Sequence, residues 1–111
     1  MLIYIAGPYS AETGTEIEAN VLQATLVGQQ LMRRGHSVIC PHSMTHKWDE
    51  ETGLCYRDFM RQCLDLLKRC DAIYLLPGWE NSDGARLEFH KARKWHIPAY
   101  YKLDEVPEAT K

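Results

Sequence analysis

Short apolar runs alternate along this chain with longer stretches of helical periodicity, and that alternation restricts the architecture more than any other feature. Leu2-Ile3-Tyr4-Ile5-Ala6, Ser37-Val38-Ile39-Cys40, Asp71 to Leu76 and Ile97-Pro98-Ala99-Tyr100-Tyr101 are strand-length runs, the first two closed by Gly7-Pro8 and Pro41. The proline of the fourth lies near its start, where a strand ladder tolerates it. Between the first two runs, Ile17, Val21, Ala24, Gly28, Leu31 and Met32 recur at helical spacing. A capping box over Thr15 to Glu18 opens that helix and Gly35 stops it. Tyr56, Phe59, Cys63, Leu66, Leu67 and Cys70 form the apolar face of a second helix. A third is predicted from Gly84 to about Trp95, and the tail from Asp104 reads as frayed. Strands that alternate with helices call for a parallel sheet and right-handed crossovers, so an α/β domain with about four to five parallel strands is expected.

The chain has 111 residues, which predicts one domain over 1–111. A core of that size has little margin, so a homodimer or higher homo-oligomer is expected. With 13 Lys and Arg against 15 Asp and Glu, the chain is not expected to bind nucleic acid. Cys40, Cys55, Cys63 and Cys70 form no C-x-x-C pair, which argues against a zinc ribbon and for a reduced, cytoplasmic protein. Met1 to Ala6 lacks the charged start of a signal peptide, and no apolar stretch reaches membrane-spanning length, so no membrane role is expected.

In a parallel sheet, ligands bind beyond the carboxyl ends of the strands. Three loops are predicted there: Gly7 to Gly14, Pro41 to Cys55, and Pro77 to Gly84. The third leads into a helix whose inward stripe is Ala85, Glu88, Phe89 and Ala92, with a carboxylate in the middle of an apolar face. Burying that charge is costly, so Glu88 either pairs, with Arg86 or Arg93 as candidates, or lines a cavity that uses it. A buried carboxylate can attack an anomeric carbon and form a glycosyl-enzyme ester. Asn81-Ser82-Asp83-Gly84 suits both a plain helix cap and a cradle for an anion. Gly7-Pro8-Tyr9-Ser10 is either a strand-ending turn or a second wall of the same site, with Ser10 as a donor and Gly7 permitting close approach. Tyr4 belongs to the core, with a hydroxyl able to reach the carboxylate. His42 and His46, with Asp49, have a spacing that suits a metal, but no further ligands are apparent. His42 can instead touch the ligand, and Trp48 and Trp79 can stack on a base or pack at the pocket edge.

Tyr4 to Ser10, Cys70-Asp71-Ala72-Ile73, Pro77-Gly78-Trp79 and Ser82 to Glu88 together resemble the nucleoside 2-deoxyribosyltransferase-like superfamily. That superfamily includes the 2′-deoxynucleoside 5′-phosphate N-hydrolases. The resemblance runs from Leu2 to about Tyr101 and is strongest to small bacterial and phage branches. Its most specific piece is the Ser-x-Gly-x-x-x-Glu spacing. It implies a three-layer flavodoxin-like, Rossmann-like fold, no metal or other cofactor, and assembly as dimers or larger. Carried over by position, it implies Glu88 as nucleophile, Tyr4 as the group that orients it, and Ser82 and Gly84 as holders of a 5′-phosphate or 5′-hydroxyl, helped by Gly7 to Ser10. The characterised enzymes carry an aspartate in the helix before the third strand, which assists the departing base. Here that position is Cys63, with Asp58 as a possible substitute and Asp65 pointing elsewhere.

The expectation is an N-glycosidase or deoxyribosyltransferase acting on a nucleoside or nucleoside 5′-monophosphate through Glu88. The alternatives are a nucleotide sensor on the same fold without turnover, motivated by Cys63, and a metal hydrolase built on His42, His46 and Asp49.

Overall fold

In the computed structural model of the chain, residues 1–9, 13–41 and 53–109 are described. They form β1 (Leu2–Ala6), α1 (Gly14–Arg33), β2 (Ser37–Ile39), α2 (Tyr56–Leu67), β3 (Ala72–Leu75), α3 (Asp83–Lys94) and β4 (Ala99–Tyr100). Short 3-10 turns follow β3 at Trp79–Asn81 and β4 at Leu103–Glu105. The strands form one sheet in the order β2-β1-β3-β4, and every pair is parallel. This is the expected α/β architecture, with the strand order of flavodoxin-like doubly wound sheets.

Alternation along the central strands supplies both faces of the sheet. Ile3 and Ile5 of β1 join Ala72, Tyr74 and Leu76 against Ala24 and Leu31 of α1. Tyr4 and Ala6 join Ile73 and Leu75 against Leu67 of α2 and Ala92 of α3. Both faces are covered, which explains why β1 and β3 read as unbroken apolar runs rather than as an alternating pattern. Asp71 fastens the two strands at their start: the Leu2 amide donates to its carboxylate at 2.8 Å, and its own amide donates to the Leu2 carbonyl at 2.8 Å.

The fold departs from expectation at the start of α1, on its inward stripe, in β4 and in the tail. Helix α1 is capped by Thr13 rather than Thr15, with the Thr13 hydroxyl accepting from the Glu16 amide at 3.2 Å. The Thr-x-x-Glu pattern occurs in two overlapping frames, and the earlier one gives the helix more backbone bonds. Met32, placed on the inward stripe by periodicity, is 60% exposed, because Leu31 takes the core position at that turn. Strand β4 pairs over Ala99 and Tyr100 only, as befits an edge strand with one neighbour. The tail is not frayed. Val106 is 2% exposed within the α1-side core, and the Arg34 guanidinium donates to its carbonyl at 3.0 Å. The Ala109 amide also donates to the Arg34 carbonyl at 3.0 Å. One buried valine among acidic residues leaves no periodic signal, which is why composition misleads here. No helix among the described residues is long and apolar enough to cross a membrane.

Because Val106 closes the α1-side core, Val106→Ala is expected to cost about 2 kcal/mol of stability in a urea titration. A frayed tail would show no change.

Candidate active site

The strand order reverses between β1 and β3: the chain leaves β1 for β2 on one side and returns to place β3 on the other. The carboxyl ends of β1 and β3 therefore open onto a crevice between diverging loops. A cleft of about 920 Å³ lies there. Its walls come from Gly7 to Tyr9 after β1, from the Gly78 and Asn81–Ala85 segments after β3, and from the Tyr56, Phe59, Met60 and Cys63 face of α2. Gly7 is required by packing, since a Cβ at this position would lie 2.7 Å from the Leu76 Cβ.

Glu88 lines this cleft from the inward face of α3 and is only 7% exposed. The Tyr4 hydroxyl, in the middle of β1, donates a hydrogen bond to Glu88 Oε2. The two arginines that could have neutralised the carboxylate are engaged elsewhere. Arg86 pairs with Asp83 and also donates to the Glu80 carbonyl at 3.3 Å, while the Arg93 guanidinium lies 5.7 Å over the Phe89 ring. Among the described residues Tyr4 is thus the one hydrogen-bond partner of Glu88. Burial pushes the Glu88 carboxyl up to about 7, and the Tyr4 hydrogen bond acts against that rise. Burial also raises the Tyr4 phenol, as do the Glu88 charge and the neighbouring Cys63 thiol. Cys63 is hydrogen-bonded to the same hydroxyl, and burial raises its thiol. Cys63, Tyr4 and Glu88 therefore form a continuous polar chain across the cleft floor.

The structure brings Gly7, Tyr9, Ser82, Gly84 and Glu88 to the cleft, with Tyr4 directly beneath Glu88. Ser82 caps α3, its hydroxyl accepting from the Ala85 amide at 3.2 Å. Ser10, His42, His46, Trp48 and Asp49 lie outside the described residues. Trp79 is not part of the described cleft lining. Its ring packs 4.8 Å from Phe89 and 6.2 Å from Tyr101. Asp58 is likewise committed: its carboxylate accepts from the Cys55 amide at 2.9 Å and caps α2, and that bond lowers its pKa. It does not line the cleft in place of a second acid. Tyr56 and Phe59, legible in the sequence only as part of a helix stripe, face the cleft instead of the core, and Met60, which lies outside that stripe, joins them. Among the described residues no group of three or more His, Cys, Asp or Glu side chains could hold a metal ion.

An ordinary glutamate carboxyl titrates near 4.5, and burial pushes that of Glu88 up to about 7 in the folded chain. Between these values the folded chain binds more protons than the unfolded chain. This contribution to stability is complete below the window and declines as pH rises through it, by up to about 3 kcal/mol. Glu88→Gln is expected to abolish that decline, read from urea midpoints at about pH 5 and about pH 8.

No curated protein matches the chain. Among solved structures, it is similar to a 2-deoxyribosyltransferase from the psychrotolerant bacterium Bacillus psychrosaccharolyticus, with a TM-score of 0.66. The two are 22% identical over 89% of this chain and 69% of that one. The resemblance to the 2-deoxyribosyltransferase-like superfamily thus holds at the level of the fold. A family model matches residues 1–101, and the chain belongs to the family described as a domain of unknown function, DUF4406.

Proposed function

We propose that this protein cleaves the N-glycosidic bond of a nucleoside or nucleoside 5′-monophosphate, as an N-glycosidase or a deoxyribosyltransferase. The observation that carries this reading is the Glu88 carboxyl. It is buried at the end of a cleft, hydrogen-bonded by Tyr4 and unpaired with any cation among the described residues. Burying such a group without an ion partner costs stability, and it persists at sites that use it.

In this reading the ionised carboxylate attacks C1′ of the sugar. The C1′–N bond breaks, its electron pair leaves with the base, and an ester forms between sugar and Glu88. Water then opens the ester in a hydrolase, or the nitrogen of a second base does so in a transferase. Tyr4 holds the carboxylate by one oxygen and leaves the other to attack. Ser82 and Gly84, at the first turn of α3, receive the 5′ end of the sugar with help from Gly7 and Tyr9. The fold similarity to a 2-deoxyribosyltransferase supports the class of reaction, and the order of residues along α3 supports the orientation.

A second reading, a sensor that binds without turnover, is favoured by Cys63. Its raised thiol pKa keeps it protonated and a weak acid, Asp58 is held as a cap, and the other carboxylate lining the cleft, Asp83, pairs with Arg86. Departure of the base then lacks a carboxylic acid from the described residues.

Chromatographic detection of free base from ribo- and deoxyribonucleosides and their monophosphates separates the two. Release that rises with pH through about 7 and falls at least about 10³-fold in Glu88→Ala is expected. Saturable binding without release from any member would support the sensor, and release unchanged in Glu88→Ala would overturn the nucleophile assignment.

A further inference from the structure

Tyr56 is out of keeping with its surroundings. It opens α2 as a large aromatic residue that is 64% exposed, yet it lines the cleft. Its phenolic oxygen lies 3.4 Å from the point a Cβ on Gly84 would occupy, and the Met60 sulfur lies 3.6 Å from the same point. The hydroxyl therefore stands directly across from the first turn of α3. Among the described residues it has no hydrogen-bond partner, although it faces the charges of Asp83 and Glu88, and it stays protonated at neutral pH. A hydroxyl that lines the cleft over a glycine, without a protein acceptor among the described residues, can exchange its water for an acceptor on a ligand.

The helix supplies a ruler. Gly84 and Glu88 are one turn apart, so atoms held beside each lie about 6 Å apart along the axis. A furanose spans about 4 to 5 Å from its anomeric carbon to the oxygen on its exocyclic carbon, four single bonds away, so a sugar whose anomeric carbon lies at Glu88 brings that oxygen within hydrogen-bond reach of the first turn. We infer that Tyr56 is a specificity residue whose hydroxyl donates to the 5′-oxygen substituent of the sugar, closing the subsite opposite Ser82 and Gly84. The inference rests on the glycosidic reading of the cleft. A Cβ at position 84 would meet Tyr56 and Met60 only at ordinary contact distance, so the glycine leaves space for a ligand and is not demanded by the packing of the protein.

Calorimetric titration tests it with three probes: a 2′-deoxynucleoside, its 5′-monophosphate, and the 2′,5′-dideoxynucleoside that lacks the acceptor. Tyr56→Phe is expected to weaken the nucleoside about three- to tenfold and the monophosphate about ten- to a hundredfold. The dideoxy compound should change by less than about twofold, with the thermal midpoint unmoved because the side chain is mostly exposed. Equal weakening of all three probes would overturn the inference, since it would place the hydroxyl on the base or in the fold. So would unchanged binding of all three; base release by the wild type would then leave the glycosidic reading standing. Failure of the wild-type protein to bind any probe would overturn both.

Discussion

The hydrogen bond from Tyr4 to Glu88 joins the middle of the first strand to the inward face of the last helix, and the cleft is organised around it. A carboxyl group in an apolar layer is tolerable only if it is satisfied or neutral. Here a buried phenol satisfies one oxygen, and burial biases the group toward its protonated form near neutrality. The hydroxyl is shared with Cys63, so α2, β1 and α3 meet at one polar chain. That chain interrupts the apolar core formed by Leu67, Ile73, Leu75 and Ala92 at the end where the sheet opens to solvent.

The position of the cleft follows from topology. With order β2-β1-β3-β4, the loops after β1 and β3 must part, because the chain leaves the sheet in opposite directions there. The two strands stay in register up to Ala6 and Leu75, and the Leu76 amide still donates to the Ala6 carbonyl at 2.8 Å. Only after that bond do the backbones separate. Gly7 stands at the parting point, where the Leu76 side chain fills the space a Cβ would need. The same close approach that excludes a side chain at position 7 leaves backbone alone to line the cleft.

Around that crevice, charged residues that look available in the sequence are spent on structure. Asp71 secures the start of β1, Asp58 caps α2, and Asp83 and Arg86 pair on the first turn of α3. Among the described residues Glu88 is the buried carboxyl, and no cation lies beside it. The family resemblance implies an acid at the position that Cys63 occupies. In this chain Cys63 contributes a thiol hydrogen-bonded to Tyr4.

The alternation of apolar runs and helical stripes determined the α/β class, the parallel sheet and the loops that follow β1 and β3 at its carboxyl edge, because the period of a buried face is written locally. The same local pattern singled out Glu88, since a carboxylate on an apolar stripe is visible without coordinates. Tertiary structure decided the rest. Periodicity cannot say which side of β1 receives β3, whether Tyr56 and Met60 face core or cleft, or that Arg86 turns to Asp83 and leaves Glu88 to Tyr4. Nor could an acidic tail disclose that Val106 seals the opposite face. These outcomes depend on contacts between residues far apart in the chain, such as Tyr4 and Glu88, whose energies exist only once the sheet has brought them together.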